Sequence, residues 1–126
     1  MYTKKEKNEF QKNLKLRIYN WNVSLVKHLL VLSKKSEKLT HSIIDQVMRS
    51  GTSVGANYIE AIGAPTTKDF RRFLSYSLKS ANETKFWLSL MQHTNIDTSK
   101  KNEMLLSENI ELANILGKSV STLYKQ

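Results

Sequence analysis

The stretch Leu14-Lys-Leu-Arg-Ile-Tyr-Asn-Trp-Asn-Val-Ser-Leu-Val-Lys-His-Leu-Leu-Val-Leu32 decides the fold. Leu14, Ile18, Trp21, Leu25, Leu29 and Leu32 recur at spacings of three and four, which lays them along one stripe of an α-helix. Leu16, Tyr19, Val23, Val26 and Leu30 recur in the same way, and at about 100° per residue this second stripe lies roughly 145° around the helix from the first. A four-helix bundle buries one stripe of each helix and gives no helix a central place. The second stripe is then left facing water, and a patch of large apolar side chains of that kind marks an interface. The expectation is a helix covered on one flank by its own chain and on the other by a second copy.

The same periodicity continues through the chain, and no segment alternates as a half-buried strand would. The spacing predicts helices at about 6–33, 38–62, 67–93 and 100–124, with residues 1–126 forming one domain. Ser36 or Thr40 can cap the second helix, and Gly63-Ala64-Pro65 ends it. Thr66 or Thr67 opens the third, where Asp69 suits the positive end of the helix dipole. Short connections between long helices force neighbours to run antiparallel, so the expected fold is an all-α, up-down-up-down four-helix bundle.

In the second helix Ile44, Val47, Gly51, Val54 and Tyr58 make the core stripe, flanked by Met48 and Ile62. Gly51 and Gly55 sit mid-helix, where each costs about 1 kcal/mol relative to Ala. Close approach of another helix at Gly51, Ser53, Gly55 and Ala56 is the simplest compensation. Asn57 and Glu60 are expected to hold the chain end or to pair with a basic side chain across the bundle. In the third helix Phe70, Leu74, Ser77, Ala81, Thr84, Leu88 and Met91 form a seam that is small in the middle. Its other side carries Arg72, Tyr76, Lys79, Glu83, Phe86, Trp87 and Leu90. Such a mixture can stack bases and neutralise phosphates, or cover a contact between subunits. The subunit contact is favoured, because Phe86 and Trp87 are costly to leave in water.

Composition narrows the function. The 126 residues carry 20 Lys and Arg against 11 Asp and Glu, a net charge of +9. Ten of the basic residues and three of the acidic ones fall within residues 1–38, so nearly all the excess sits in the first third. That favours a polyanion, and nucleic acid is the commonest one. The candidate phosphate-binding residues are Lys4, Lys5, Lys7, Lys12, Lys15, Arg17, Lys34, Lys35 and Lys38. The chain has no Cys, which removes disulfides, thiolate zinc sites and a cysteine nucleophile. The longest apolar run, Leu29 to Leu32, is far below the roughly 20 residues of a membrane span, and the expectation is a soluble cytoplasmic protein without a membrane partner.

Catalytic and metal chemistry find no foothold in the pattern. His28, His41 and His93 follow Leu25, Lys38 and Leu90 at the third position back, so no Glu-x-x-His iron motif exists. His28 reads as a hydrogen-bonded seam residue rather than a ligand. None of Arg17, Arg49, Arg71 and Arg72 is followed by His at the spacing of a helical ribonuclease, and Gly51-Thr-Ser-Val-Gly55 lacks the lysine of a phosphate loop. No catalytic residue, metal or cofactor is expected, and the chain is read as a non-enzyme.

Arg49-Ser-Gly-Thr-Ser-Val-Gly-Ala-Asn-Tyr-Ile-Glu-Ala61, Lys68-Asp-Phe-Arg-Arg-Phe-Leu-Ser-Tyr-Ser-Leu78 and Ala81-Asn-Glu-Thr-Lys-Phe-Trp-Leu88 resemble the bacterial four-helix-bundle proteins first noticed in intervening sequences of 23S ribosomal RNA genes. The resemblance covers about residues 12 to 120, with polar Ser53, Asn57, Glu60 and Glu83 at the family's places. Tyr58-Ile59 and Ile62 depart from the smaller or more polar run common there. The resemblance implies a ring-like homopentamer, in which Leu16, Tyr19, Val23, Val26, Leu30, Tyr76, Phe86 and Trp87 are the interface candidates. It also implies kinship with the accessory variability proteins of diversity-generating retroelements, which bind nucleic acid and a reverse transcriptase. The expected function is a basic, homo-oligomeric RNA- or DNA-backbone binder, accessory to a reverse transcriptase or associated with ribosomal RNA; the alternative is a protein-interaction scaffold without nucleic-acid binding.

Overall fold

The computed structural model describes residues 3–125. It contains four long helices and no strand among the described residues: α1 (Lys4–Lys35), α2 (His41–Ile62), α3 (Thr67–His93) and α4 (Lys100–Tyr124), with a 3₁₀ turn at Lys38–Thr40 before α2. Direction follows from the contacts. Leu25 of α1 meets Gly51 of α2 and Ile18 meets Gly55; Ser50 meets Thr84 of α3 and Val54 meets Ser77; Ala81 meets Asn109 of α4 and Leu88 meets Asn102; Arg17 meets Glu108 and Trp21 meets Leu105. In each pair one residue number falls as the other rises, so every neighbouring pair runs antiparallel and α4 returns to α1. This is the up-down-up-down bundle.

The stripes read from the sequence are the buried ones. Leu14, Ile18, Trp21, Leu25, Leu29 and Leu32 face inward from α1, and Ile44, Val47, Gly51, Val54 and Tyr58 from α2. Leu74, Ser77, Ala81, Thr84, Leu88 and Met91 face inward from α3, with Phe70 only half-buried at its start. From α4 come Leu105, Leu112 and Leu116. Burying each such large side chain contributes about 1.5–3 kcal/mol.

Small residues set how closely the helices approach. A Cβ built on Gly51 would overlap Leu25 Cδ2, and one on Gly55 would overlap Asn22 Oδ1. Leu25 is fully buried and cannot yield, so α1 lying against α2 requires Gly51, whereas a larger residue at Gly55 would have to turn the half-buried Asn22 side chain aside. Between α2 and α3 the seam is small and polar. Ser77 Oγ donates to the Val54 carbonyl at 2.8 Å and Thr84 Oγ1 lies 2.9 Å from Ser50 Oγ, so the buried hydroxyls are satisfied where backbones come near. Asn102 and Asn109, both fully buried, donate from Nδ2 to Asp97 and Ala81 carbonyls at 3.0 and 3.2 Å and fasten α4 to α3 and its connecting loop.

The helix ends differ in part from the expectation. Thr3 caps α1, accepting from the Glu6 N–H at 3.1 Å, while Thr3 Oγ1 also donates to Glu6 Oε1 at 3.0 Å. This Thr-x-x-Glu pairing joins residues 4 and 5 to the helix. Ser36 does not cap α2: its hydroxyl donates back to the Leu32 carbonyl at 2.6 Å. Thr40 holds the N-cap position, but its side chain makes no capping bond there. Thr66 caps α3 by accepting from the Asp69 N–H at 3.1 Å, and Ser99 caps α4 through Asn102. α3 ends where Asn95 takes φ of 62°, a left-handed conformation that asparagine tolerates.

Candidate functional site

Three surface features are built by this bundle. The first is the outer flank of α1. Leu16 is 59% exposed, Tyr19 65% and Leu30 52%, whereas Val23 and Val26 are half-buried. The second stripe of α1 thus has no partner within the chain at three of its five positions. Leu16 and Tyr19 continue onto α2 through Gly55, Ala56 and Ile59, and together with Lys12 and Lys15 they line an open apolar groove of about 500 Å³. Ile59, one of the residues that depart from the family's pattern, forms part of that wall.

The second feature is the outer face of α3. Tyr76 is 45% and Phe86 58% exposed, while Trp87 is half-buried against the core. Phe86 and Trp87 meet edge to face with centroids 4.9 Å apart, and Trp87 Nε1 donates to Glu83 Oε1 at 3.3 Å. The polar set Ser53, Asn57, Glu60 and Glu83 does not assemble a network across the bundle. Ser53 Oγ donates to the Arg49 carbonyl at 2.7 Å and Asn57 Nδ2 to the Ser53 carbonyl at 2.9 Å, both within α2. Glu60 is exposed. The expected pairing of Asn57 and Glu60 with a distant group is replaced for Asn57 by a bond one turn back, because neither side chain points into the core.

The third feature is charge at the two ends of the bundle. Lys7 of α1 and Lys118 of α4 line one groove of about 510 Å³ with Phe10, Phe70 and Leu123. Antiparallel packing places Lys4, Lys5, Lys68 and Lys125 at this same end. Lys34, Lys35 and Lys38 lie at the other, since the 28 residues from Lys7 to Lys35 span about 42 Å of helix. Of the candidate lysines, Lys4, Lys5 and Lys7 therefore gather at one end and Lys34, Lys35 and Lys38 at the other, while Lys12 and Lys15 border the α1–α2 groove.

Arg17 belongs to neither cluster. Its Nε and Nη2 donate to the two carboxylate oxygens of Glu108, each at 2.7 Å, and Glu111 approaches to 3.2 Å. The hydrogen bond to Glu108 raises the guanidinium pKa above its ordinary value. This fork joins α1 to α4, a role the sequence pattern did not disclose because the partner is 91 residues away.

His28 is a seam residue, as its place beside the apolar stripe suggests. Its Nε2 donates to Asp97 Oδ2 at 2.6 Å, and since an ionised carboxylate only accepts, Nε2 carries the proton. Burial alone would raise the Asp97 pKa; hydrogen bonds from His28 and from the Ser99 side chain and N–H outweigh it and hold the carboxyl below its usual range. His41 Nε2 lies 3.0 Å from the Ser33 carbonyl. Burial pushes the Tyr58 hydroxyl up to about 12. No group of three or more His, Asp or Glu side chains could hold a metal among the described residues. No described helix is long and apolar enough to cross a membrane.

The chain is a short antiparallel four-helix bundle with exposed apolar side chains on the outer faces of α1 and α3 and lysines at both ends. The chain belongs to the 23S rRNA-intervening sequence protein family, whose model matches residues 14–118. The chain is also similar to the crystal structure of a protein of unknown function from the S23 ribosomal protein family of Bacteroides thetaiotaomicron. The two share 32% sequence identity with a TM-score of 0.73, over 85% of this chain and 97% of that one. No curated protein matches the chain.

Proposed function

We propose that the chain is a non-enzymatic, self-associating protein that binds RNA or DNA through phosphate contacts. The observation that carries this reading is the convergence of Lys7 and Lys118, from the first and last helices, on one groove, at the end that also holds Lys4, Lys5, Lys68 and Lys125. A cluster built from separate helices is held in place by the fold, and an ammonium needs no further geometry to contact a phosphate. Lys34, Lys35 and Lys38 supply a second contact region at the far end; Arg17 is excluded because Glu108 and Glu111 already match its charge. The family's tie by name to 23S ribosomal RNA supports RNA as the polyanion. The resemblance to retroelement accessory proteins extends the proposal to a reverse transcriptase as protein partner.

Self-association multiplies the effect. A pentamer, the assembly the resemblance implies, would gather about +45 from five chains of +9 each, which favours strongly salt-dependent and weakly sequence-specific binding. The spread of the lysines over both ends and the α1–α2 groove favours the second reading, a protein-interaction scaffold whose charge only keeps it soluble. One titration decides between them. Replacing Lys4, Lys5, Lys7 and Lys118 by Glu should lower the slope of log affinity against log salt by roughly 0.7 per lost contact on single-stranded RNA and 0.9 on duplex DNA. An unchanged slope refutes the site, and no binding by the wild type supports the scaffold.

A further inference from the structure

We propose that the groove between Lys7 and Lys118 takes one unstacked nucleotide, its phosphate between the two lysines and its base against the apolar lining, so that the chain prefers single-stranded to duplex nucleic acid. This rests on the nucleic-acid reading above and adds what the groove itself holds. The seam between α1 and α4 is the starting point. Arg17 faces Glu108 and Trp21 faces Leu105 across it, and the same antiparallel register carried toward the start of α1 sets Lys7 opposite Lys118, where both line the groove. The seam thus pairs opposite charges where it is closed and like charges where it opens. Among the described residues neither lysine has a carboxylate within ion-pairing distance, and no Asp or Glu lines the groove. Two ammonium groups facing one another repel, and an anion between them turns that repulsion into attraction.

The groove offers more than charge. Leu14 is the first buried residue of α1 and Leu116 the last of α4, although α1 begins at Lys4 and α4 runs to Tyr124. Both helices therefore continue about two to three turns past the core, and the groove lies between these free turns. Phe10 stands at its mouth, 50% exposed; Phe70 and Leu123 are half-buried on its walls, and buried Leu74 and Tyr58 form its floor. Its volume of about 510 Å³ is that of a small-molecule site, roughly 300–1,000 Å³. The Tyr58 hydroxyl is held there only by a 3.5 Å contact to the Gln11 carbonyl, and burial keeps it protonated. It is a weakly engaged donor within an otherwise apolar floor.

An apolar recess beneath two cations fits a ligand that is anionic at one end and flat and weakly polar at the other. A nucleotide has that form: its phosphate meets the two ammonium groups, its base stacks on a ring such as that of Phe10, and a base carbonyl accepts from the Tyr58 hydroxyl. A base held in a duplex keeps its faces covered by its neighbours and cannot enter the recess, whereas an unpaired base can be splayed out. The preference for single strands therefore follows from the apolar lining, not from the lysines, which a duplex phosphate reaches equally well.

Fluorescence anisotropy with three labelled probes of equal length tests the inference, at one salt concentration because affinity for a polyanion depends on it. The probes are oligouridylate, the same strand without its bases, and oligouridylate paired with oligoadenylate. The wild type should bind oligouridylate more tightly than either of the others, although the duplex carries more charge. Phe10→Ala should weaken oligouridylate binding roughly five- to a hundred-fold, the worth of one stacked base, and leave the abasic strand unchanged, whereas Lys7→Gln with Lys118→Gln should weaken both strands. Phe10 is 50% exposed, and far-UV circular dichroism confirms that each variant folds. The inference is overturned if the wild type binds the abasic strand or the duplex as tightly as oligouridylate, or if Phe10→Ala fails to separate the two strands; the nucleic-acid reading survives those results. A wild type that binds none of the three probes sinks the nucleic-acid reading and this inference with it, and so is told apart from an empty groove.

Discussion

Replacing Gly51 by Ala should destabilise the protein, although the same change in an open helix is favourable. Helix propensity alone stabilises Ala over Gly by about 0.8–1 kcal/mol in a helix interior. At Gly51 the new methyl falls on Leu25 Cδ2, with Leu25 Cγ and Thr84 Cγ2 at 3.6 and 3.7 Å. Leu25 is fully buried, so it moves only by displacing the core, and overpacking of that kind costs about 1–3 kcal/mol. The net loss is about 1 kcal/mol, or roughly 4 °C in melting temperature for a chain of this size. Gly117→Ala is the control. Its Cβ meets Leu78 Cδ1 at 3.9 Å, ordinary contact, so most of the propensity gain is kept and the variant should be more stable than wild type. Thermal and urea denaturation followed by circular dichroism, at one protomer concentration because assembly shifts apparent stability, should show opposite signs. A Gly51→Ala protein as stable as wild type would refute the close α1–α2 packing.

Three further outcomes follow from buried or paired groups. The Asp97 pKa is depressed in the folded chain, so its contribution to stability is present above the unfolded carboxylate value of about 3.9 and is lost as pH falls through the lower folded value; the deficit of Asp97→Asn should therefore be largest near neutral pH and shrink below about pH 4, and a deficit constant across that range would contradict the pairing with His28. Trp21→Phe removes the 3.0 Å bond from Nε1 to the Leu105 carbonyl and should cost about 1 kcal/mol in urea denaturation, with no loss counting against that link. Arg17→Ala breaks a half-exposed pair and should cost under about 1 kcal/mol, while leaving the salt dependence of nucleic-acid binding untouched; a reduced slope would place Arg17 on phosphate.

The bundle was legible because burial and helical periodicity are local in sequence. Leu14 to Leu32 on α1 and Leu74 to Met91 on α3 declare their inward faces at spacings of three and four, and Gly51 and Gly55 announce a close neighbour without saying which. What escaped depends on partners far along the chain. Asp97 reads as a turn residue until α1 brings His28 to it, Arg17 reads as one more cation until Glu108 arrives from α4, and Asn102 and Asn109 look like surface amides although both are fully buried. Thr3 and Glu6 form a capping pair that was local and readable but lay in a segment dominated by lysines. Along α1 the sequence pattern marks the exposed flank correctly at Leu16, Tyr19 and Leu30, while Val23 and Val26 are half-buried within the protomer. The lysines of the first third look continuous in sequence because a 32-residue helix hides how far apart its ends are.

In the proposed assembly identical chains cover the outer apolar flank of α1, where Leu16, Tyr19 and Leu30 are exposed on the single protomer. Native mass spectrometry of the wild-type chain at micromolar concentration measures this directly. It should find a single closed assembly, at about five times 14.6 kDa if the ring is a pentamer. A mass of one chain, with Leu16, Tyr19 and Leu30 left in water, would contradict it.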